Sequence, residues 1–241
     1  MTAATARANP RNLLTSLVLV FPLFLIYQVG VLYTLPMLNG ADFLTILLMR
    51  NAGFSVAQYL IFTACVAAGF FLTVAVLRRT QRFDGRLLLP VLLESAIYAL
   101  TMGSLIILVM TKVFGISPRL AAAAAPSIAD GGLLTRLIMS IGAGVWEETL
   151  FRLGLLTACA ALFGKVLGMR RFAAVALAFV VSSLAFSAMH HIPPYGDPLR
   201  LGVFTFRFLA GICFGLLYWF RGFAVAVYTH ALYDIYVLLI R

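Results

Sequence analysis

The stretch GVWEETLFR, residues 144–152, places two adjacent glutamates and an arginine within an apolar run that extends from about residue 134 to 163. About 20 apolar residues are enough for a helix to cross a bilayer. A charged side chain at membrane depth costs about 2.5–3.5 kcal/mol on insertion scales, so charges in a span are rare and usually functional. The stretch therefore indicates a membrane-spanning helix and marks the region in which a function should be sought.

The composition of the whole chain supports a membrane protein. The chain has 241 residues, of which 63% are hydrophobic and 11% charged, and its mean hydropathy is +1.05. A soluble domain carries about 25% charged residues. We therefore predict an all-α fold, a polytopic membrane helix bundle with about seven (six to eight) transmembrane helices, in which residues 1–241 form a single integral membrane domain. The predicted spans are 13–35, 55–77, 87–112, 134–163, 172–190, 202–220 and 222–240.

The net charge of +10 has a membrane explanation. The basic residues lie in short loops between apolar segments and lack interleaved stacking aromatics, so we expect contact with the lipid bilayer and no nucleic acid. The three cysteines lie within apolar segments, which predicts buried small residues. The run 13–35 is too long for a cleaved signal peptide and is expected to remain as the first span.

Positive charge also predicts orientation, because cytoplasmic loops are enriched in Lys and Arg. With seven spans, ten basic residues fall on one side against about four on the other, which predicts a cytoplasmic N-terminus. Arginine outnumbers lysine sixteen to two, a bias typical of GC-rich bacterial genomes, so we expect a bacterial inner (cell) membrane. The Ala-, Pro- and Gly-rich segment 114–132 is predicted to be a linker or lid.

A set of charged and histidine side chains lies inside or near the predicted spans. Opposite signs within this set predict a paired polar cluster in the bundle interior; the alternative is that these residues form only helix-packing ion pairs. The set comprises Glu94, Glu147, Glu148, Arg152, His190, Arg207, His230 and Asp234. For Glu94 and Arg207 we expect only that they pair with other buried charges.

The spacing of these residues predicts which of them pair. Glu148 and Arg152 are four apart and share a helix face, so they can form an ion pair. Glu147 is rotated by about 100° from Glu148 and is the freer candidate base. His230 and Asp234 are also four apart, so the aspartate can orient the imidazole.

Two carboxylates and two histidines in a buried polar pocket are typical of hydrolysis. A glutamate can act as general base, a histidine can share the proton, and further donors can stabilise an oxyanion. Glu147, His190 and His230 would alternatively supply three ligands to a catalytic divalent metal such as zinc, with one position open to water. The sequence contains no HExxH and no GxSxG motif.

Three motifs resemble those of the CPBP family, the CAAX-protease and bacteriocin-processing (Abi) intramembrane endopeptidases. That family shows EExxxR, FxxxH and HxxxN or HxxxD on successive membrane helices. Here the motifs read EETLFR (147–152), FSAMH (186–190) and HALYD (230–234). The resemblance covers about residues 131–241, which would carry the catalytic core, and leaves 1–130 as accessory transmembrane helices.

The resemblance implies an intramembrane fold of about eight helices that cleaves a peptide bond near the membrane surface. Glu147 with His190 would activate the water, and His230 with Asp234 would contact the oxyanion or the scissile carbonyl. Glu148 and Arg152 would support the site. The substrate would be a membrane-associated peptide or protein tail, and both a metal-dependent and a metal-free glutamate mechanism fit the family.

Two other functions are compatible with the sequence. Some family members act as scaffolds, immunity factors or regulators without proteolysis, and intramembrane Glu, His and Asp sets also serve proton-coupled carriers. The substrate side stays open as well. Seven spans place Glu147 and His190 in the half of the membrane away from the cytoplasm, and His230 agrees less well unless its span is bent, whereas prenylated CAAX substrates need a cytoplasm-facing site.

Overall fold

A computed structural model describes residues 11–35, 38, 42, 45–46, 55–117, 132–192 and 198–239. These residues form seven helices and no strand. The helices are α1 Leu13–Thr34, α2 Val56–Leu77, α3 Leu88–Lys112, α4 Leu133–Val166, α5 Arg171–Met189, α6 Leu201–Arg221 and α7 Phe223–Leu239.

The prediction of an all-α membrane bundle is confirmed. Helices α1 to α6 are long and apolar enough to cross a membrane, whereas α7 has 17 residues. The bounds follow the predicted spans closely because chain length and apolar composition fix where a helix can lie in a bilayer. Most of the predicted linker or lid at 114–132 lies outside the described residues.

Two contacts pair the helix ends across the bundle. At one end, the backbone amide of Leu14 donates to Oε1 of Gln81, which joins the start of α1 to the α2–α3 connection. At the other, Nη1 of Arg136 donates to the carbonyl of Leu238, 3.1 Å away, which joins the start of α4 to the end of α7. We call the end with the Leu14–Gln81 contact the basic end; α1, α3, α5 and α7 start there, and α2, α4 and α6 finish there. The end with the Arg136–Leu238 contact is called the opposite end.

Helix α7 lies at the centre of the bundle. Every residue from Phe223 to Ala231 is buried, and the helix packs against α1, α3, α4 and α6. A helix that is apolar on all sides is typical of a position surrounded by other helices. Thr229 and His230 are the polar residues of this otherwise apolar stretch, and both are buried in the interior of the bundle.

The turn before α7 lies deep in the bundle. Ser95 donates to the carbonyl of Val225, and Ser95 is seven residues, about 10 Å, from the first residue of α3. Gly222 has a φ of 101°, which lets α6 end and α7 begin within one residue. The depth of His230 therefore follows from this sunken turn, and the bend that the sequence had suggested is not needed.

Glu94 forms an ion pair near the same turn. Its Oε2 accepts from Nη2 of Arg221 at 2.8 Å, and Oε1 accepts from Nε of Arg221 and, at 2.8 Å, from the hydroxyl of Tyr98. The expectation that Glu94 pairs with a charge is confirmed, but the partner is not buried, since the side chain of Arg221 is 43% exposed. This pair joins α3 to α6 and belongs to the basic end of the bundle.

Helix α2 is mostly uncovered. Only Tyr59 and Val74 among its 22 residues are buried, as expected for a helix that faces lipid on most sides. The prediction that the cysteines are buried is wrong for Cys65, which lies exposed on this helix, while Cys159 and Cys213 are partly exposed. An apolar side chain in a membrane helix can face lipid as readily as protein.

Close contact between α4 and α7 depends on Gly144. A Cβ atom added at Gly144 would lie 2.7 Å from the carbonyl oxygen of Val227 and 2.9 Å from Cβ of Ala231. Small residues allow membrane helices to approach closely. The contact brings the next turn of α4, which contains Glu148, against the turn of α7 that contains His230.

Replacing Gly144 with alanine should therefore push α4 and α7 apart. We expect Gly144→Ala to destabilise the protein by about 1–3 kcal/mol, the usual cost of overpacking, as a lower midpoint of thermal unfolding in detergent micelles. Gly69→Ala on α2 is the matched control, because nothing lies within 4 Å of its added Cβ. Equal midpoints for the two variants would contradict this account of the contact.

Candidate active site

The structure brings the predicted site residues together near the opposite end of the bundle. Helix α4 contributes Glu147, Glu148 and Arg152, the residue after α5 is His190, and α7 contributes His230 and Asp234. These residues are separated by up to 87 positions in the sequence but are linked by contacts of 2.7–3.8 Å.

Glu148 and Arg152 form a fully buried pair. Oε2 of Glu148 lies 3.2 Å from Nε of Arg152, and both residues have 0% of their surface exposed. The spacing of four residues had predicted this pair. A buried charge is costly unless it is paired, so removing either residue would leave the other as an unpaired charge in the bundle.

Aromatic rings and a backbone carbonyl surround the Arg152 guanidinium. Its central carbon lies 4.3 Å from the ring centroid of Phe186 and 5.3 Å from that of Phe214. Nη2 donates to the carbonyl of Gly211 at 3.3 Å. Cation–π contacts and this hydrogen bond supply part of the stabilisation that water would give. Phe186, four residues before His190 in the motif, thus also packs against the arginine.

Glu148 also holds His230. Oε1 of Glu148 lies 2.7 Å from Nδ1 of His230, while Oδ2 of Asp234 lies 3.7 Å from Nε2 of the same ring. The sequence had predicted Asp234 as the residue that orients the imidazole. In the structure the hydrogen bond comes from Glu148, because the close contact at Gly144 places α4 beside this turn of α7.

Glu147 faces both histidines. Its Oε2 lies 3.5 Å from Nε2 of His190 and 3.8 Å from Nε2 of His230, and the residue is 7% exposed. Nδ1 of His190 lies 2.7 Å from the carbonyl of Phe186, which can only accept a hydrogen bond, so Nδ1 carries a proton. The Nε2 atoms of two separately held rings thus converge on one carboxylate oxygen.

Helix α4 departs from regular α-helical geometry around the motif. The hydrogen bonds of Ala143–Glu147 and Thr149–Leu156 follow the wider i→i+5 pattern. Such π-helical turns are uncommon and occur frequently at functional sites. The sequence had given no signal for them. They lie on both sides of Glu148 and so shape the backbone from which both glutamates project.

Sequence reasoning missed Phe214. Its ring stacks on the His230 imidazole with centroids 4.3 Å apart and an interplanar angle of 14°, and the residue is 2% exposed. Phe214 therefore contacts both the Arg152 guanidinium and the His230 ring. The chain has 20 phenylalanines, and no spacing distinguishes Phe214 from those that only fill space.

Two further polar residues, Arg207 and His191, lie around this core. Arg207 shares a face of α6 with Gly211 and Phe214, four and seven residues on, and its charge acts on Asp234. This agrees with the expectation that Arg207 lies near other charges. His191 stacks on Phe204 with centroids 5.8 Å apart, as an interfacial neighbour would.

Glu147, His190 and His230 offer the oxygen and nitrogen donors that a catalytic zinc ion uses. In the part of the chain that the structure describes, however, no group of three or more His, Cys, Asp or Glu side chains has the arrangement that could hold a metal ion. The residues present therefore do not fit a metal in this geometry, and the metal set stays a prediction from sequence.

Comparison with known proteins gives one match. Residues 129–236 match a family model described as Rce1-like, the type II CAAX prenyl endopeptidase Rce1-like family. This confirms the resemblance inferred from the three motifs, all of which lie within the matched residues. No curated protein and no solved structure matches the chain significantly.

Breaking the buried pair should destabilise the protein more than removing a surface arginine. Arg152→Met leaves the Glu148 carboxylate buried and should cost about 3–5 kcal/mol, seen as a lower midpoint of thermal unfolding in detergent. Adding Glu148→Gln should recover part of this loss, since the amide is neutral and still accepts from His230.

Arg171→Met, which removes an exposed arginine at the start of α5, is the control and should leave the midpoint nearly unchanged. If the double variant were less stable than Arg152→Met alone, a buried unpaired carboxylate would not be the cause of the loss.

Proposed function

We propose that this chain is an intramembrane endopeptidase, because residues 129–236 match the Rce1-like family model and the matched residues contain the three motifs of the site. It would hydrolyse a peptide bond in a membrane-associated peptide or protein tail. The observation that carries this proposal is the convergence of two histidine Nε2 atoms on Oε2 of Glu147, at 3.5 and 3.8 Å.

The first step is activation of water. A water molecule between Glu147 and His190 can donate one hydrogen to the Glu147 carboxylate and the other to Nε2 of His190, whose own proton is on Nδ1. Its lone pair then points away from both groups. Glu147 takes one proton as general base while the water oxygen forms a bond to the carbonyl carbon of the substrate.

The second step is stabilisation and breakdown of the tetrahedral intermediate. Protonated His230 donates from Nε2 to the oxyanion, while its Nδ1–H donates a hydrogen bond to Oε1 of Glu148. The oxyanion then re-forms the carbonyl and the carbon–nitrogen bond breaks. Glu147 returns its proton to the leaving amine, which balances the hydrolysis. Asp234, 3.7 Å from Nε2 of His230, would balance the charge of the imidazolium.

Glu148 and Arg152 would support the site without touching the substrate. Both are fully buried, and the arginine holds the carboxylate whose other oxygen holds His230. The His230 ring is therefore held in place by the carboxylate of a buried ion pair. Such preorganisation is what an oxyanion donor needs.

The mechanism proposed here uses no metal, because the described geometry suits a shared water better than a three-ligand metal site. We also propose that residues 131–241 form the catalytic core and that 1–130 provide accessory helices, in line with the extent of the family match.

Replacing the base should abolish proteolysis. Glu147→Gln keeps the size of the side chain but removes the base, so we expect a rate about 10²–10⁴-fold lower. The measurement compares peptide termini in membranes that contain equal amounts of wild-type or variant protein. Termini that depend on the enzyme should disappear with Glu147→Gln.

Glu94→Gln is the matched control, since it neutralises a carboxylate that pairs with Arg221 outside the site, and it should leave the termini unchanged. Identical termini for wild type and Glu147→Gln across several growth conditions would contradict the proposal. They would favour the non-catalytic scaffold or immunity role instead.

A further inference from the structure

The basic residues are concentrated at one end of the bundle. Among the described residues, nine Lys and Arg lie at the basic end against three at the opposite end. Those at the basic end are Arg11, Arg78, Arg79, Arg82, Arg86, Lys165, Arg170, Arg171 and Arg221; those at the opposite end are Lys112, Arg136 and Arg200. Arg152 and Arg207 lie within helices, away from the helix ends, and are not counted. Counted by place in the sequence, Arg7 at the basic end and Arg50, Arg119 and Arg241 at the opposite end make the ratio ten to six.

The number of basic residues in individual loops shows the same difference between the two ends. The α2–α3 connection holds four arginines, Arg78 to Arg86, within ten residues. The α1–α2 connection, residues 35–55, holds one basic residue. Lys and Arg in short loops set the orientation of membrane proteins, with the excess on the cytoplasmic side. The basic end is therefore the cytoplasmic end.

The proposed catalytic residues lie far from that end. His190 is nineteen residues beyond Arg171 on α5, and Glu147 is nineteen residues before Val166 on α4, so each is about 28 Å along its helix from the α4–α5 connection. The hydrocarbon core of a bilayer is about 30 Å thick. Both residues are thus close to the membrane surface at the opposite end.

The third residue agrees once the sunken turn is taken into account. His230 is five residues, about 8 Å, beyond Val225, whose carbonyl accepts from Ser95 at about 10 Å along α3 from its first residue. Asp234 is one turn further on and is five residues, about 8 Å, from the end of α7. The side chains of His190 and Asp234 are 20% and 27% exposed, so the site opens at this end.

We propose that the site takes its substrate from the non-cytoplasmic face of the membrane. This inference rests on the proposed function and names its substrate class, which is peptide segments of exported or membrane proteins that lie at the outer surface. A site about 28 Å from the cytoplasmic end is out of reach for protein tails in the cytoplasm, including prenylated ones.

The test determines which face each end of the bundle occupies. The native cysteines Cys65, Cys159 and Cys213 are first replaced by alanine, and single cysteines are then placed at exposed positions. Thr80→Cys reports the basic end, and Ser117→Cys and Ile192→Cys report the opposite end, the last only two residues from His190. None of the three positions belongs to the proposed site.

The full-length variants are treated with a membrane-impermeant maleimide in sealed spheroplasts and in inverted membrane vesicles from the same bacterial host. We expect Ser117→Cys and Ile192→Cys to react in spheroplasts, and Thr80→Cys to react only in inverted vesicles. The reverse pattern, or reaction of each position from both sides, would overturn the proposal.

This experiment separates the inference from the function on which it rests. Labelling reports orientation whether or not the protein is a protease, whereas the loss of termini in Glu147→Gln reports proteolysis whichever way the site faces. A reversed labelling pattern together with lost termini would leave a protease that acts on cytoplasmic tails. The expected labelling pattern without any loss of termini would support the proposed orientation but contradict the proposed protease activity.

Discussion

The carboxylate of Glu148 connects the two halves of the candidate site. One of its oxygens lies 3.2 Å from Nε of Arg152, and the other lies 2.7 Å from Nδ1 of His230. Because the residue is fully buried, neither partner can be replaced by water. The arginine lies against one oxygen of this carboxylate inside an apolar bundle, and the other oxygen fixes the ring whose Nε2 faces Glu147.

The surrounding packing serves this interaction. Gly144 allows α4 and α7 to approach, which brings Glu148 to His230, and Phe214 packs against both His230 and the guanidinium of Arg152. These contacts explain how the charges of the stretch 144–152 are tolerated inside an apolar bundle. The ion pair between Arg152 and Glu148, with the contacts of their neighbours, offsets the cost of burying both charges. The result is an imidazole held in one position in a region that otherwise excludes polar groups.

Much of the fold was predictable because it depends on local properties. Span length and apolar composition fixed the helices, and the spacing of four residues gave the Glu148–Arg152 pair. The partner of His230 was not predictable, since a contact between residues 148 and 230 depends on how α4 and α7 cross. The same holds for Phe214 and for the depth of Val225 beside Ser95, which require three-dimensional packing.

The most direct test of this account is the tautomeric state of the histidines, measured by ¹⁵N NMR on the full-length protein in lipid. The chain has three histidines, so a His191→Gln variant leaves only the two rings of the site. The account predicts that both rings carry a proton on Nδ1, and that Glu148→Gln shifts the His230 resonances while those of His190 stay in place. A neutral His230 protonated only on Nε2, or resonances that ignore Glu148→Gln, would contradict it.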